Sequence, residues 1–327
     1  MYNIFITCYN VIVKKVINVK LKNFKNLDEQ IEILIQKGLT INDYELTRNL
    51  LLRENYFFLS GYRHIFYKGN GNRNFKEGTT FEELYAVFCF DRQIRNIIFK
   101  NILVFENNLK SIISYTISKN YGFKENNYLN LKIFDNDKSR SRQINDLIKK
   151  MKRQIRVNSK QHEATKHYLI NYGYIPLWVA VKVLSFGIVG ELFLVLKDSD
   201  KEEIADLFYT DTRNLEVYLP ILANYRNLCA HEDICFTNKT QKCINDTKYH
   251  KILNIPQIDR EYVYGKRDLF ALIIIFKEVL NEDNFKMLLN EIRYEIDILN
   301  SKLNTVKVEV ILDKMGFPLN YDEIGRI

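Results

Sequence analysis

Near the middle of the second half of the chain, Tyr225-Arg226-Asn227-Leu228-Cys229-Ala230-His231 places a guanidinium and an imidazole five residues apart. Histidine, with an ordinary pKa near ~6.5, can take or give a proton close to neutrality. Arginine adds a fixed positive charge and a fork of donors suited to a phosphate. Such a pair suits metal-free RNA cleavage, in which the 2′-hydroxyl attacks the adjacent phosphorus and expels the 5′-oxygen as a cyclic phosphate forms. One imidazole does not easily serve as acid and base in the same step, whereas two facing copies would supply both. On an ideal helix, Leu215, Tyr218, Leu222, Tyr225 and Cys229 form an apolar stripe. Asn227 and His231 then share a face nearly opposite it, with Arg226 at the flank. Ala223, Asn224 and Ala230 leave room off the stripe for another helix. By spacing alone the pair means little, and capping, ion pairing or a satisfied histidine at the helix end is the favoured explanation.

Other groups invite chemistry less strongly. Glu106 lies among Phe99, Ile102, Leu109 and Ile113 at helical spacing, and a carboxylate among apolar side chains needs a cation or donors. It either holds Arg226 or pairs with Arg92, Arg95 or Lys110, and a structural role is favoured. Asp91, Arg92 and Arg95 form a charge cluster open to the same two readings. Cys229, His231, Cys235, Cys243 and His250 crowd together, but no Cys-x-x-Cys pair accompanies them. No metal and no cofactor is therefore expected. Tyr56, Phe57, Phe58, Tyr62 and Phe66 read as core rather than as a base-stacking surface. Gly69-x-Gly71 lacks the Lys-Ser/Thr of a phosphate loop.

The net charge of +8 is concentrated. Ten Lys or Arg lie between Lys138 and His167, opposed only by Asp146 and Glu163, and the remainder of the chain balances. Such a window attracts polyanions through counterion release, although a solvated helix face would look alike. Lys149, Lys150, Lys152, Arg153 and Arg156 are the RNA-binding candidates; His162 and His167 add to that surface.

The elements that must carry these groups are helical almost everywhere. In 327 residues, 46% are hydrophobic and 13% aromatic, enough for a large core and against disorder. Only 12 Gly and 4 Pro argue against a many-turned β chain. The longest apolar run, Leu269 to Phe276, has eight residues, short of the ~18 of a membrane span. No export signal is read, and an odd number of cysteines suits a reducing cytoplasm. Leu27, Ile31, Leu34 and Ile35 predict a helix ended by Gly38, and Asn42 is expected to cap the next, carrying Tyr44, Leu46, Leu50 and Leu51. Thr80 with Glu83 predicts a capping box opening the longest helix, which ends at Gly122. The basic window reads as one or two helices broken near Asn158, followed by a helix with Pro176 at its first position. Asp200 and Thr212 are the expected caps of the next two. Residues 233–263 read as irregular, with helices at 266–280 and 284–303, and Val306 to Leu312 admits a short strand.

Several segments carry a resemblance. Arg226-Asn227-Leu228-Cys229-Ala230-His231 matches the Arg-x(4)-His motif of the HEPN ribonuclease superfamily. The opening Gln30 to Leu39, Asn55-Tyr56 with Leu59-Ser60-Gly61-Tyr62, and Phe81-Glu82-Glu83-Leu84-Tyr85 are similar to the bacterial Abi-like family of AbiD/AbiF type. Phe90 to Arg95, Glu106 to Lys110, Pro176-Leu177-Trp178 and Leu184-Ser185-Phe186-Gly187 continue it in order. The resemblance implies an all-α, HEPN-like helical bundle over residues 26–240, with the basic insert at about 138–167. A 1–25 extension precedes it, and a 241–327 helical region packs on the same core. It implies a metal-independent endoribonuclease and toxin of abortive-infection phage defence. Its partners would be an RNA substrate, a structured small non-coding RNA, and a second copy completing a composite site in a homodimer. Arg226 and His231 would be catalytic with Asn227, and Glu106 supporting. The alternative is a non-catalytic RNA-binding or sensing module using the 138–167 stretch. Lys110 stands where the family pattern leads one to expect Arg, and Glu232-Asp233-Ile234-Cys235 is less basic than expected after the motif.

Overall fold

In the computed structural model, which describes residues 23–69 and 71–326, Thr80 starts the element that organises the rest. Its hydroxyl accepts from the Glu83 N–H, and the Glu83 carboxylate accepts from the Thr80 N–H. Two donors at the helix start are thereby satisfied reciprocally.

Helices α1 (Leu27–Gln36), α2 (Tyr44–Glu54) and α3 (Tyr56–Ser60) lead into a ribbon of β1 (Tyr67–Gly69) and β2 (Asn72–Phe75). The long helix α4 (Phe81–Tyr121) comes next, then α5 (Glu125–Tyr128), α6 (Ser141–Asn158), α7 (Glu163–Tyr172), α8 (Leu177–Val183), α9 (Phe186–Leu194) and α10 (Asp198–Asp206). Helix α11 (Thr212–Ala230) carries the motif. After it come α12 (Lys248–Ile252), a ribbon of β3 (Gln257–Ile258) and β4 (Glu261–Tyr262), α13 (Leu269–Val279), α14 (Glu282–Lys302) and α15 (Val308–Met315). Both ribbons are antiparallel and two-stranded. The fold is all-α.

Helix α4 spans 41 residues, about 60 Å at 1.5 Å per residue. Its buried side chains, from Phe81 to Ile117, form the spine of one continuous apolar cluster. Helices α8, α11 and α14 pack along it, so residues from both sides of the motif share this core. Lys100 reaches Glu291 on α14 at 2.6 Å. Glu83 also accepts from the backbone N–H groups of Asn304 and Thr305 at 2.7 Å, tying the exit of α14 to the entry of α4. Helix α13 is buried almost all round, as Leu269 to Phe276 shows, which explains its unbroken apolar run.

Several local expectations are corrected. Asp43, not Asn42, caps α2; Asn42 instead donates to Glu82 at 3.1 Å. On α2 the buried residues are Thr47 and Leu51, while Tyr44 and Leu46 are exposed. Asp211 caps α11, and Thr212 is its first helical residue. Asp200 is no cap: it lies inside α10, buried, accepting from Asn120 and the Tyr121 hydroxyl. Pro176 precedes its helix by one position. Val306 to Leu312 forms no strand, because Val308, Ile311, Leu312 and Met315 bury one face of α15. Gly316 ends that helix at φ +75°, where a Cβ would stand 2.2 Å from the Asp268 carboxyl carbon. Of the expected 1–25 extension, residues 1–22 lie outside the described residues.

Candidate active site

Helix α11 starts where the Asp211 carboxylate accepts from the Asn214 N–H at 2.7 Å. Leu215, Tyr218, Leu219, Ile221, Leu222 and Tyr225 bury one side of it against α4 and its neighbours. Pro220 lies within the helix, where its missing N–H removes one backbone hydrogen bond. The buried face fixes the opposite one. Asn227 and His231 are exposed, and Arg226 at the flank keeps about a third of its side-chain surface accessible.

The helix ends at His231, whose N–H still bonds Asn227 O at 3.0 Å. Glu232 then turns left-handed at φ +56°. Its N–H reaches Cys229 O, and the Asp233 N–H reaches Leu228 O at 3.1 Å. These two bonds close a Schellman motif, with Glu232 where glycine is usual. The side chain of His231 therefore projects from a fixed helix end rather than from a loose loop.

The segment after this turn is held from below. Asp91, fully buried on α4, accepts from the N–H groups of Cys235 (3.1 Å) and Phe236 (2.8 Å). The Tyr62 hydroxyl donates to it at 2.6 Å, and Arg95 pairs with it. Burial pushes the Asp91 carboxyl up, opposed by the Arg95 charge and by these donors. Arg95 also reaches Asp233 O. The Asp91 and Arg95 cluster is thus structural: it clamps the segment behind His231. Arg92 pairs with Glu54 on α2 instead. The clamp joins residues 144 apart in sequence, and only the i, i+4 pair of Asp91 with Arg95 is apparent from spacing.

Glu106 is buried, and Lys110 neutralises it at 2.6 Å. Its other oxygen stands 4.0 Å from Arg226 Nε, and neither atom has a hydrogen-bond partner. Of the two readings for Glu106, the Lys110 pair is the closer contact, and Arg226 lies at the edge of ion-pair range. The Arg226 guanidinium lies 5.8 Å from the centre of the Phe99 ring, a cation over an aromatic face. Glu106 and Phe99 thus flank the guanidinium. No hydrogen bond joins its terminal nitrogens to a described residue.

Cys235 is sealed, and hydrogen bonding to Cys229 together with burial pushes its thiol well up. Among the described residues, no three His, Cys, Asp or Glu side chains gather as a metal site. His250 is fully buried and committed elsewhere. Its Nδ1 accepts from the Thr247 N–H at 3.0 Å, and Nε2 faces Gly265 O at 3.0 Å. The neutral tautomer with hydrogen on Nε2 satisfies both.

The basic candidates lie on the solvent face of α6, opposite Ile144, Leu147, Ile148, Met151 and Ile155. Lys150 pairs with Glu191, and Lys149 with Asp146 at 3.5 Å. Lys152, Arg153 and Arg156 are exposed and form no ion pair with a described residue. Beside the motif, a recess of about 510 Å³ is lined by Phe57, Phe58, Arg63, Arg95 and Glu232 to Ile234. Phe57 and Phe58 are thus more exposed than a core reading of this aromatic group allows.

Compared with known families, residues 49–237 match the model of a family described as Abi-like protein. That span includes the Asp91 clamp, Glu106, the basic helix α6 and the whole motif. No curated protein and no solved structure matches the chain.

Proposed function

The chain belongs to the Abi-like protein family, which associates it with abortive-infection phage defence, and on that premise we propose that it is a metal-independent endoribonuclease. The carrying observation is the end of α11. Arg226, whose donor fork no described residue engages, and His231, exposed on a fixed helix terminus, stand on the accessible side of a helix whose other side is core. Arg226 holds the scissile phosphate and the charge that develops on the phosphorane. His231 moves the proton of the 2′-hydroxyl or of the 5′-leaving oxygen. Asn227, one turn before His231 on the exposed face, orients the phosphate or the imidazole.

One imidazole per chain leaves the second proton transfer to another group. A two-fold pairing of motif faces supplies it, so the active species is a homodimer with a composite site. RNA is the substrate, and a structured small RNA is a candidate regulator. Among the described residues, no helix is long and apolar enough to cross a membrane, and the proposed place of action is the cytoplasm.

The test is His231→Ala. Because the side chain is exposed and its loss removes no core contact, the variant keeps the wild-type thermal midpoint. RNA cleavage and growth arrest on expression are expected to fall at least a hundredfold, within the range of a removed general acid or base. Wild-type turnover by the variant contradicts the proposal. A second reading is an RNA-binding module without turnover that uses the basic 138–167 stretch; Glu232 and Asp233, two exposed acids next to His231, favour it by repelling phosphate from the motif. Retained RNA binding without cleavage products from the wild-type protein supports that reading instead.

A further inference from the structure

Helix α7 is unusual for what it leaves outside. Of its ten residues only Thr165 is buried, although Tyr168, Leu169, Ile170 and Tyr172 lie on it. Tyr172 is 57% exposed. On α8 the small and aliphatic Leu177, Val179, Ala180 and Val181 face the core, while Trp178 points outward, 45% exposed. The aliphatic side chains fill the core, and the large aromatic rings are left together on the surface, as at an interaction site.

These rings form a connected strip. Tyr168 lies 5.3 Å from Tyr172, Tyr172 lies 6.4 Å from Tyr174, Tyr174 lies 5.8 Å from Phe123, and Phe123 lies 5.2 Å from Trp178, centre to centre. Rings already in mutual contact leave no slot for an inserted base. Tyr172 and Trp178, the two exposed rings of the strip, remain available for stacking.

The surroundings are cationic. Residues 164–190 contain no Asp or Glu. Lys124 sits 4.7 Å from the Tyr174 ring centre, and Lys166 and Lys182 are exposed. Glu125, at the base of the strip, is engaged by the Ile175 N–H at 2.6 Å. One end of the strip begins at His167, where the basic stretch ends. At the other end, Trp178 and Lys182 line a recess of about 260 Å³ with Lys110, Asn107 and Ser111. Lys110 is the cation bound to Glu106, and Glu106 flanks Arg226.

From this juxtaposition we propose that the ring strip from Tyr168 to Trp178 is a binding track for single-stranded RNA, leading the strand from the basic helices toward Arg226. As a path to that active site, the inference rests on the nuclease reading; as a binding surface, it stands on the rings and lysines alone. Bases stack on Tyr172 and Trp178, and the lysines track the phosphates. Stacking on rings tolerates any sequence, because every base has a flat face. A duplex hides those faces and is excluded.

Trp178 is the single tryptophan of the chain, so its fluorescence reports this surface directly. The full-length His231→Ala protein, which leaves RNA intact, is titrated with a single-stranded oligoadenylate and with a duplex of equal length. Saturable quenching by the single strand alone is expected. Tyr172→Leu with Tyr174→Leu should weaken it about tenfold or more, whereas Tyr172→Phe, which keeps the ring, should not. Tyr172 is largely exposed, and unchanged circular dichroism checks that the leucine variant is folded. RNA binding seen by anisotropy without any change in Trp178 emission overturns the track. So does equal quenching by the duplex, or quenching by anionic vesicles in the absence of any RNA effect. The two readings separate cleanly. Quenching in His231→Ala with no cleavage by wild type keeps the track and removes the nuclease; cleavage by wild type with no quenching does the reverse.

Discussion

Glu232 occupies a backbone conformation that a side chain disfavours, directly after the proposed proton-transfer residue. A left-handed residue other than glycine costs roughly 1–2 kcal/mol, and such outliers concentrate where the surrounding structure imposes them. Here the two Schellman bonds and the clamp on Cys235 and Phe236 impose it. Glu232→Gly relieves the strain at some entropic cost. The expected result is a thermal midpoint equal to or above wild type, with a net gain of up to about 1 kcal/mol in urea unfolding. A loss of stability would show that Glu232 makes an essential contact. At this scale the sequence was informative about placement. The stripe through Tyr225 already set Asn227 and His231 on the outer face, because helical geometry depends only on spacing. It was silent about Glu232, since nothing local distinguishes a left-handed glutamate from a helical one.

The elements around the site are joined by a single buried carboxylate. Asp91 on α4 serves two backbone N–H groups, a tyrosine hydroxyl and a guanidinium. Asp91→Ala leaves all of them buried without an acceptor and strands the Arg95 charge. Removing one partner of a buried pair costs about 3–5 kcal/mol. A loss of that size in urea unfolding is expected, together with faster hydrogen exchange at residues 233–236. A loss below about 1 kcal/mol, the net worth of one ordinary hydrogen bond, would mean that water replaces the carboxylate and that the clamp does not position the motif. Elements built from neighbouring residues were legible: the Thr80 and Glu83 box and the Gly122 stop bound α4 as their chemistry requires. Where two adjacent residues could cap, as Asn42 with Asp43 or Asp211 with Thr212, type alone did not choose between them. The segment Val306 to Leu312 has β-branched residues suited to a strand, yet packing against the core makes it helical from Val308 on, because burial outweighs a weak local propensity.

Across the whole molecule, residues after the motif are bonded into the same core through buried titratable groups. Asp268 caps α13, accepting from Ala271 (3.0 Å) and Gly265 (3.1 Å). Burial pushes its carboxyl up to about 6, despite those two donors. A raised carboxyl pKa means the fold prefers the protonated form. This group's contribution is full below its unfolded value near 3.8 and is lost as pH rises through about 6. His250, which shares Gly265 with it, acts oppositely. Burial lowers its pKa from 6.5, so its contribution holds above that value and is lost as pH falls through the lowered one. Comparing Asp268→Asn with wild type isolates the carboxyl, because Asn keeps the cap acceptor without the charge. The stability difference should move in favour of the variant between about pH 4 and pH 7, by up to about 3 kcal/mol. A difference independent of pH would show that burial does not raise the Asp268 carboxyl. Neither residue was legible as a pair, since both meet through Gly265 and a loop that carries no periodicity.

If Arg226 and His231 cut RNA by internal attack of the 2′-hydroxyl, the chemistry of the new ends records it. Purified full-length protein is incubated with a defined single-stranded RNA in excess chelator, and the fragment termini are read by mass spectrometry. Fragments ending in 2′,3′-cyclic phosphate, matched by 5′-hydroxyl ends, and absent with Arg226→Ala or His231→Ala, are the predicted result. Fragments bearing 5′-phosphate, or cleavage that stops in chelator, would contradict it.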